Sequence, residues 1–149
     1  MNRPLAILVT AAALTVSGTV QAAAVSAAAV SGTAVSGPVP GTCVTGYRGV
    51  VVNEICAVVS GDQVTFFGQS SPGGVGWTPR SVSYRMTAAV VGGAGLGSVS
   101  PTVLVDRSST GVARITGTVP CGSTASATLE TTQWGWPPAT ATVVVPAGC

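Results

Sequence analysis

Four stretches of this chain alternate strictly between apolar and mostly hydroxyl-bearing residues, and a period of two leaves few folds open. In "SVSYRMTAAV", Val82, Tyr84, Met86, Ala88 and Val90 fall on one face, with Ser81, Ser83, Arg85 and Thr87 on the other. Successive side chains of a β-strand point to opposite sides, so such a segment is a strand with one face in a core and one in water. "GVARITGTV" sets Ala113, Ile115 and Val119 against Val112, Arg114, Thr116 and Thr118. "TASATLETT" sets Ala125, Ala127 and Leu129 against Thr124, Ser126, Thr128 and Glu130. "ATATVVV" sets Ala139, Ala141, Val143 and Val145 against Thr140 and Thr142. Beyond the first 22 residues, nothing repeats at the helical period.

Adding "GVVVNEICAVV", "QVTFFGQ" and "TVLVD" brings the expectation to about seven or eight short strands separated by Gly, Pro and Ser, the signature of an all-β two-sheet sandwich rather than an α/β fold. The domain is expected over residues 42–149. Ahead of it, residues 23–41 read "AAVSAAAVSGTAVSGPVPG", without charge or aromatic side chain. Such a segment buries too little to offset the entropy of ordering it, and is read as a flexible spacer. Residues 1–22 carry Arg3, the apolar run "LAILVTAAALTV" and a small-residue exit at "VQA". That is the layout of a secretory signal peptide, too short for a membrane span, which needs about 20 apolar residues. The expectation is a secreted, extracellular protein with no membrane association after cleavage.

Charge is scarce. The chain holds six arginines, no lysine, no histidine and four acids, so 7% of its residues are charged, against roughly 25% in ordinary soluble domains. A net charge of +2 gives no electrostatic footprint for nucleic acid. The partners left open are an extracellular glycan or protein. The lysine-free Ala/Val/Gly/Thr-rich make-up is that of a GC-rich, actinobacterial type of genome. Four cysteines, Cys43, Cys56, Cys121 and Cys149, in a chain that passes through an oxidising compartment read as two disulfides with three possible connectivities. A metal site is not expected, since C-x-x-C spacing and histidine are both missing.

"GDQVTFFGQSSP", residues 61–72, and "GVARITGTVPCGSTASATL", residues 111–129, carry a resemblance. A G-D-x-V-x-F strand running into Ser-Ser-Pro, with late strands flanking a tight turn, resembles the bacterial immunoglobulin-like domains of secreted proteins, including the PKD-type modules. The resemblance implies an immunoglobulin-like sandwich. Its corner tyrosine is missing, Val119 standing there. A core bridge between Cys56 and Cys121 is one pairing it suggests, but Cys121 lies in a "PCGS" turn. In that topology the turn between the fifth and sixth strands lies at the same end as the finish of the seventh, which implies instead Cys43–Cys56 and Cys121–Cys149.

Catalysis has little to work with. Without histidine or lysine, no base activates a serine. Of the four carboxylates, Glu54, Asp62, Asp106 and Glu130, the first two and the last sit in turns or on outward strand positions, and a lone Asp106 is a poor calcium site. The expectation is a protein that is not an enzyme and needs no cofactor. Binding has better candidates. In "TTQWGWPPAT", Trp134 and Trp136 share a face if the backbone is extended, and two flat rings there would stack on sugar rings or a partner's apolar groups. The competing reading is that one ring caps the open end of an aromatic-poor core while the other lies on the strand beside it. Trp77 in "SSPGGVGWTPRS" is the next candidate. Pro79, Arg80 and Ser81 of that loop also suggest a second function, a reactive segment for a trypsin-like protease. Tyr47 and Arg48 read as a hairpin tip.

Overall fold

A computed structural model describes residues 41–48 and 50–148; the segment expected to be a signal peptide, all of the expected spacer but Gly41, and Cys149 lie outside the described residues. Among the described residues there are nine strands and no helix: β1 (Thr42–Arg48), β2 (Val51–Ser60), β3 (Gln63–Pro72), β4 (Arg80–Val90), β5 (Gly95–Val99), β6 (Thr102–Val105), β7 (Thr110–Thr118), β8 (Thr124–Thr131) and β9 (Thr140–Pro146). One antiparallel sheet runs β1-β2-β3-β7; the other runs β5-β4-β8-β9, with β6 also on β4. The expectation of seven or eight strands is corrected upward for two reasons. β5 and β6 lie end to end along the same edge of β4, opposite Ala89–Met86 and Ser83–Arg80. Ser100 and Pro101 break that edge, and Pro101 still receives the Tyr84 N–H on its carbonyl at 2.9 Å. β1, in turn, is an almost wholly exposed edge strand, whose hydroxyls and glycine carry no alternation to read.

The inward residues are those the alternation selects in β4, β8 and β9: Val82, Tyr84, Met86 and Ala88; Ala125, Ala127 and Leu129; Ala141, Val143 and Val145 are all buried. They meet Ile55, Ala57, Val64 and Phe66 from β2 and β3 in one core. Each large side chain removed from water contributes about 1.5–3 kcal/mol. β7 departs from its expected faces. Val112 is buried with Ile115, not outward with Arg114. The register against β3 shifts between Gly68 and Gln69, which pair with Ala113 and Gly111. Val112 is thus the extra residue of a bulge, and a bulge turns one side chain out of the period.

Both long sides of the sandwich are closed. On one, β1 approaches β9 so closely that a Cβ on Gly46 would overlap the Thr140 carbonyl. On the other, the side chain of Leu96 in β5 lies against Gly117 of β7, 2.9 Å from where a Cβ would be. Cys43 and Cys56, directly opposed in the β1–β2 ladder, are joined by a disulfide with Cα atoms 4.0 Å apart. Cys121 is also disulfide-bonded; the expected pairing of Cys121 with Cys149 falls on a residue outside those described.

The two layers are also tied by a polar chain that crosses the core. Fully buried Asn53 donates its amide to Thr131 Oγ1 at 3.0 Å and to the Ala139 carbonyl at 2.8 Å. Ser70 Oγ donates to Asn53 Oδ1 at 3.0 Å and accepts from Tyr84 Oη at 2.9 Å. Among the described residues no buried side-chain polar atom lacks a partner, as the cost of an unmade buried bond requires.

Candidate functional site

The strand pairings gather four connections at one end of the sandwich: the β1–β2 turn, the β3–β4 loop, the β6–β7 loop and the β8–β9 loop. Their proximity is set by specific bonds. Gly73 N donates to Val50 O at 3.0 Å, and Tyr47 Oη donates to Gly73 O at 3.3 Å. Trp77 Nε1 donates to the carbonyl of Val105, the last residue of β6, at 3.0 Å. Tyr47 and Arg48 close β1 at this hairpin.

The β8–β9 loop, which holds two tryptophans, is fixed at its base. Thr131 N donates to Ala139 O at 2.9 Å, Thr132 N to Ser83 O at 2.8 Å, and Ser83 N to Gln133 Oε1 at 3.1 Å. Inside the loop, Trp136 N reaches back to Gln133 O at 3.2 Å, and Gly135 between the two tryptophans has a φ of 78°. That is a tight turn with a left-handed residue at its third position, a place glycine takes without steric cost. The extended backbone that would set both rings on one face is therefore not formed. Trp136 folds back, half-buried, against the core. Trp134 projects, 94% exposed.

Trp136 does not cap the core alone. Trp77, from the β3–β4 loop, meets it edge to face with ring centroids 6.1 Å apart, a preferred arrangement for aromatic pairs. The Arg80 guanidinium lies 4.9 Å from the Trp77 centroid and 5.9 Å from that of Trp136. Arg80 Nε and Nη2 both donate to Thr78, to its carbonyl at 3.4 Å and its hydroxyl at 2.9 Å. Pro79 and Ser81 are exposed on either side of it. Arg80 and Ser81 belong to β4, opposite Val105 and Leu104 of β6. The structure thus brings Trp77, Arg80 and Trp136 into one cluster, with Trp134 beyond it. The part sequence reasoning missed is the role of Arg80 as the cation beside two rings; its signal was the W-x-x-R spacing at the start of a strand.

The other chemistry-bearing groups are dispersed. Asp62 sits in the β2–β3 turn at the opposite end, Asp106 follows β6, and Glu130 is on β8 opposite Arg85. Glu54 Oε2 accepts from Gln69 Nε2 at 2.6 Å on the outer face of the first sheet. Its carboxylate lies within 4.8 Å of the Cys43 and Cys56 sulfurs, but those sulfurs are spent on each other in the disulfide and are not thiolate ligands. Along the same face, Arg114 stacks over Phe67 at 4.9 Å. Burial raises the Tyr84 hydroxyl above its ordinary pKa, offset in part by the Ser70 bond.

Fold and site together define a disulfide-linked all-β sandwich that carries an aromatic and arginine cluster at one end. No protein-family model, curated protein or solved structure matches the chain.

Proposed function

We propose that this protein is a secreted, non-enzymatic, immunoglobulin-like module that binds an extracellular ligand through its loop end. Several observations support the reading. β2, β3 and β7 lie in one sheet and β4, β8 and β9 in the other. With β1 as an addition outside β2, this is the partition of first, second and fifth strands against third, sixth and seventh that an immunoglobulin-like sandwich uses. In that arrangement the β3–β4 and β8–β9 loops are the ones that recognise partners in variable domains. The Cys43–Cys56 bridge fits an oxidising compartment, where such bonds persist.

The carrying observation is Trp134: a large ring, 94% exposed, on a loop whose base is hydrogen-bonded at three points. A flat apolar side chain held out to water costs hydration and yields nothing within the fold, whereas pre-organisation lowers the entropy cost of binding. The protease-inhibitor alternative draws less support, because Arg80 and Ser81 are laddered to β6 rather than held out on a free loop.

Acrylamide quenching tests the geometry first. Trp134→Ala should remove the strongly quenched component of the fluorescence and leave the shielded emission of Trp77 and Trp136, with stability changed by less than about 0.5 kcal/mol. In pull-downs with insoluble polysaccharides, Trp134→Ala should lose most of the retained protein. Equal retention by the variant would reject the loop end as the binding face.

A further inference from the structure

The loop end is where the chain concentrates its scarce arginines as well as its tryptophans. Five of the six arginines follow Arg3's segment, and three of them, Arg48, Arg80 and Arg107, stand at this end with Asp106 as the one acid in those four connections. Arg80 is the one held in a fixed pose. Two tryptophan rings lie beside its guanidinium, within 4.9 and 5.9 Å. Thr78 takes both Nε and Nη2, the side edge of the fork. The end edge, formed by Nη1 and the second hydrogen of Nη2, is left over. Among the described residues no carboxylate meets it. A guanidinium whose rotamer is already fixed accepts a planar carboxylate on such an edge with two parallel charge-assisted bonds and little further loss of entropy.

We infer that Arg80 is the specificity-determining residue of this end and that the ligand is a uronic-acid-containing glycan, its carboxylate on the free guanidinium edge of Arg80 and a sugar ring against Trp134. The inference rests on the binding face proposed above and adds the ligand's charge and class. A glycan rather than a protein is favoured because the rings exposed at this end, Trp134 and Tyr47, are amphipathic faces of the kind that stack on sugar rings, with Val75 and Leu104 the other exposed apolar side chains there. Thr132 and Gln133, just before Trp134 in the same loop, carry a hydroxyl and an amide suited to sugar hydroxyls. The surplus of arginine over acid supplies the charge complementarity.

The probes are a defined-length oligogalacturonate and its methyl ester, which keeps the ring and masks the carboxylate, titrated calorimetrically against the full chain. The native protein should prefer the acid form. Arg80→Gln should weaken binding of the acid form by about tenfold to a hundredfold, the worth of charge-assisted bonds, and leave the ester unchanged. Arg80→Lys keeps a cation beside the rings and so guards against misfolding as the explanation; lacking the fork, it should lose most of the same preference. Arg85→Gln, on the outer strand face opposite Glu130, should bind like the native chain. Trp134→Ala should weaken both probes. If Trp134→Ala weakens both while Arg80→Gln changes neither, the arginine assignment falls and the loop end survives. If neither variant matters, or the native chain binds neither probe, as a protein-binding module would behave, the inference is overturned.

Discussion

Asn53 places an amide in the middle of an apolar face, between Val51 and Ile55, and every polar atom it carries is bonded. Its partners come from β3, from the end of β8 and from the residue before β9, so the side chain positions the base of the tryptophan loop. Asn53→Ala strips a donor from Thr131 and Ala139 and an acceptor from Ser70. The expected cost is about 2–4 kcal/mol, measured as a lowered urea midpoint without a change of slope. Tyr84 Oη ends the same chain at Ser70. Because burial raises its pKa, the folded state holds a proton that the unfolded state releases from about pH 10 upward. Its stabilising contribution is complete below that pH and is lost as the pH climbs through the raised value. Melting temperatures followed into alkali should therefore fall, and Tyr84→Phe should flatten that fall. At this scale the sequence shows that Asn53 shares a face with Val51 and Ile55. It hides the partners, because Thr131 and Ala139 are 78 and 86 residues away and only folding brings them close.

Among the strands, legibility follows the chemistry of each segment. β4, β8 and β9 bury the residues their alternation selects, save Val90, half-buried at the end of β4, because each pairs without a bulge along the whole of the β4–β8–β9 ladder. β7 fails at Val112 because the register shift is a property of the β3–β7 pair, and no single strand records it. β1 escapes notice because its small and polar residues lack a buried face of their own, and β5 because its two core-facing residues, Leu96 and Val99, are three apart rather than alternating. Yet β1 decides one side of the sandwich. Gly46 admits the Thr140 backbone where any side chain would collide, and backbone cannot swing aside as a flexible side chain does. Gly46→Val should separate β1 from β9 at a cost of about 1–3 kcal/mol, the range for overpacking. Amide exchange should show it as faster opening confined to β1 and the start of β9. Unchanged protection of those strands would mean that the contact is incidental.

The whole molecule repeats the division. The all-β class and the core of the second sheet were readable, since both depend on local periodicity. The assembly of Trp77, Arg80 and Trp136 was not, because it joins the start of β4 to the loop ahead of β9, and the turn at Gly135 undoes the shared face that spacing alone suggests. Charge is equally uninformative at this scale: with so little of it, the outer faces are clothed by cross-strand hydroxyl pairs such as Thr65 with Thr116 and Thr128 with Thr142, 3.1 and 3.0 Å apart. The edge of the second sheet shows what that scarcity demands. Most β-proteins discourage stray pairing with lysine along their borders, a remedy unavailable here. The interruption at Pro101, between β5 and β6, does that work by shape, offering a neighbouring molecule no uninterrupted row of amides to extend. Protection of this kind is indifferent to salt, so light scattering from concentrated solutions should stay flat from dilute buffer to molar sodium chloride, where a charge-guarded sheet would begin to cluster.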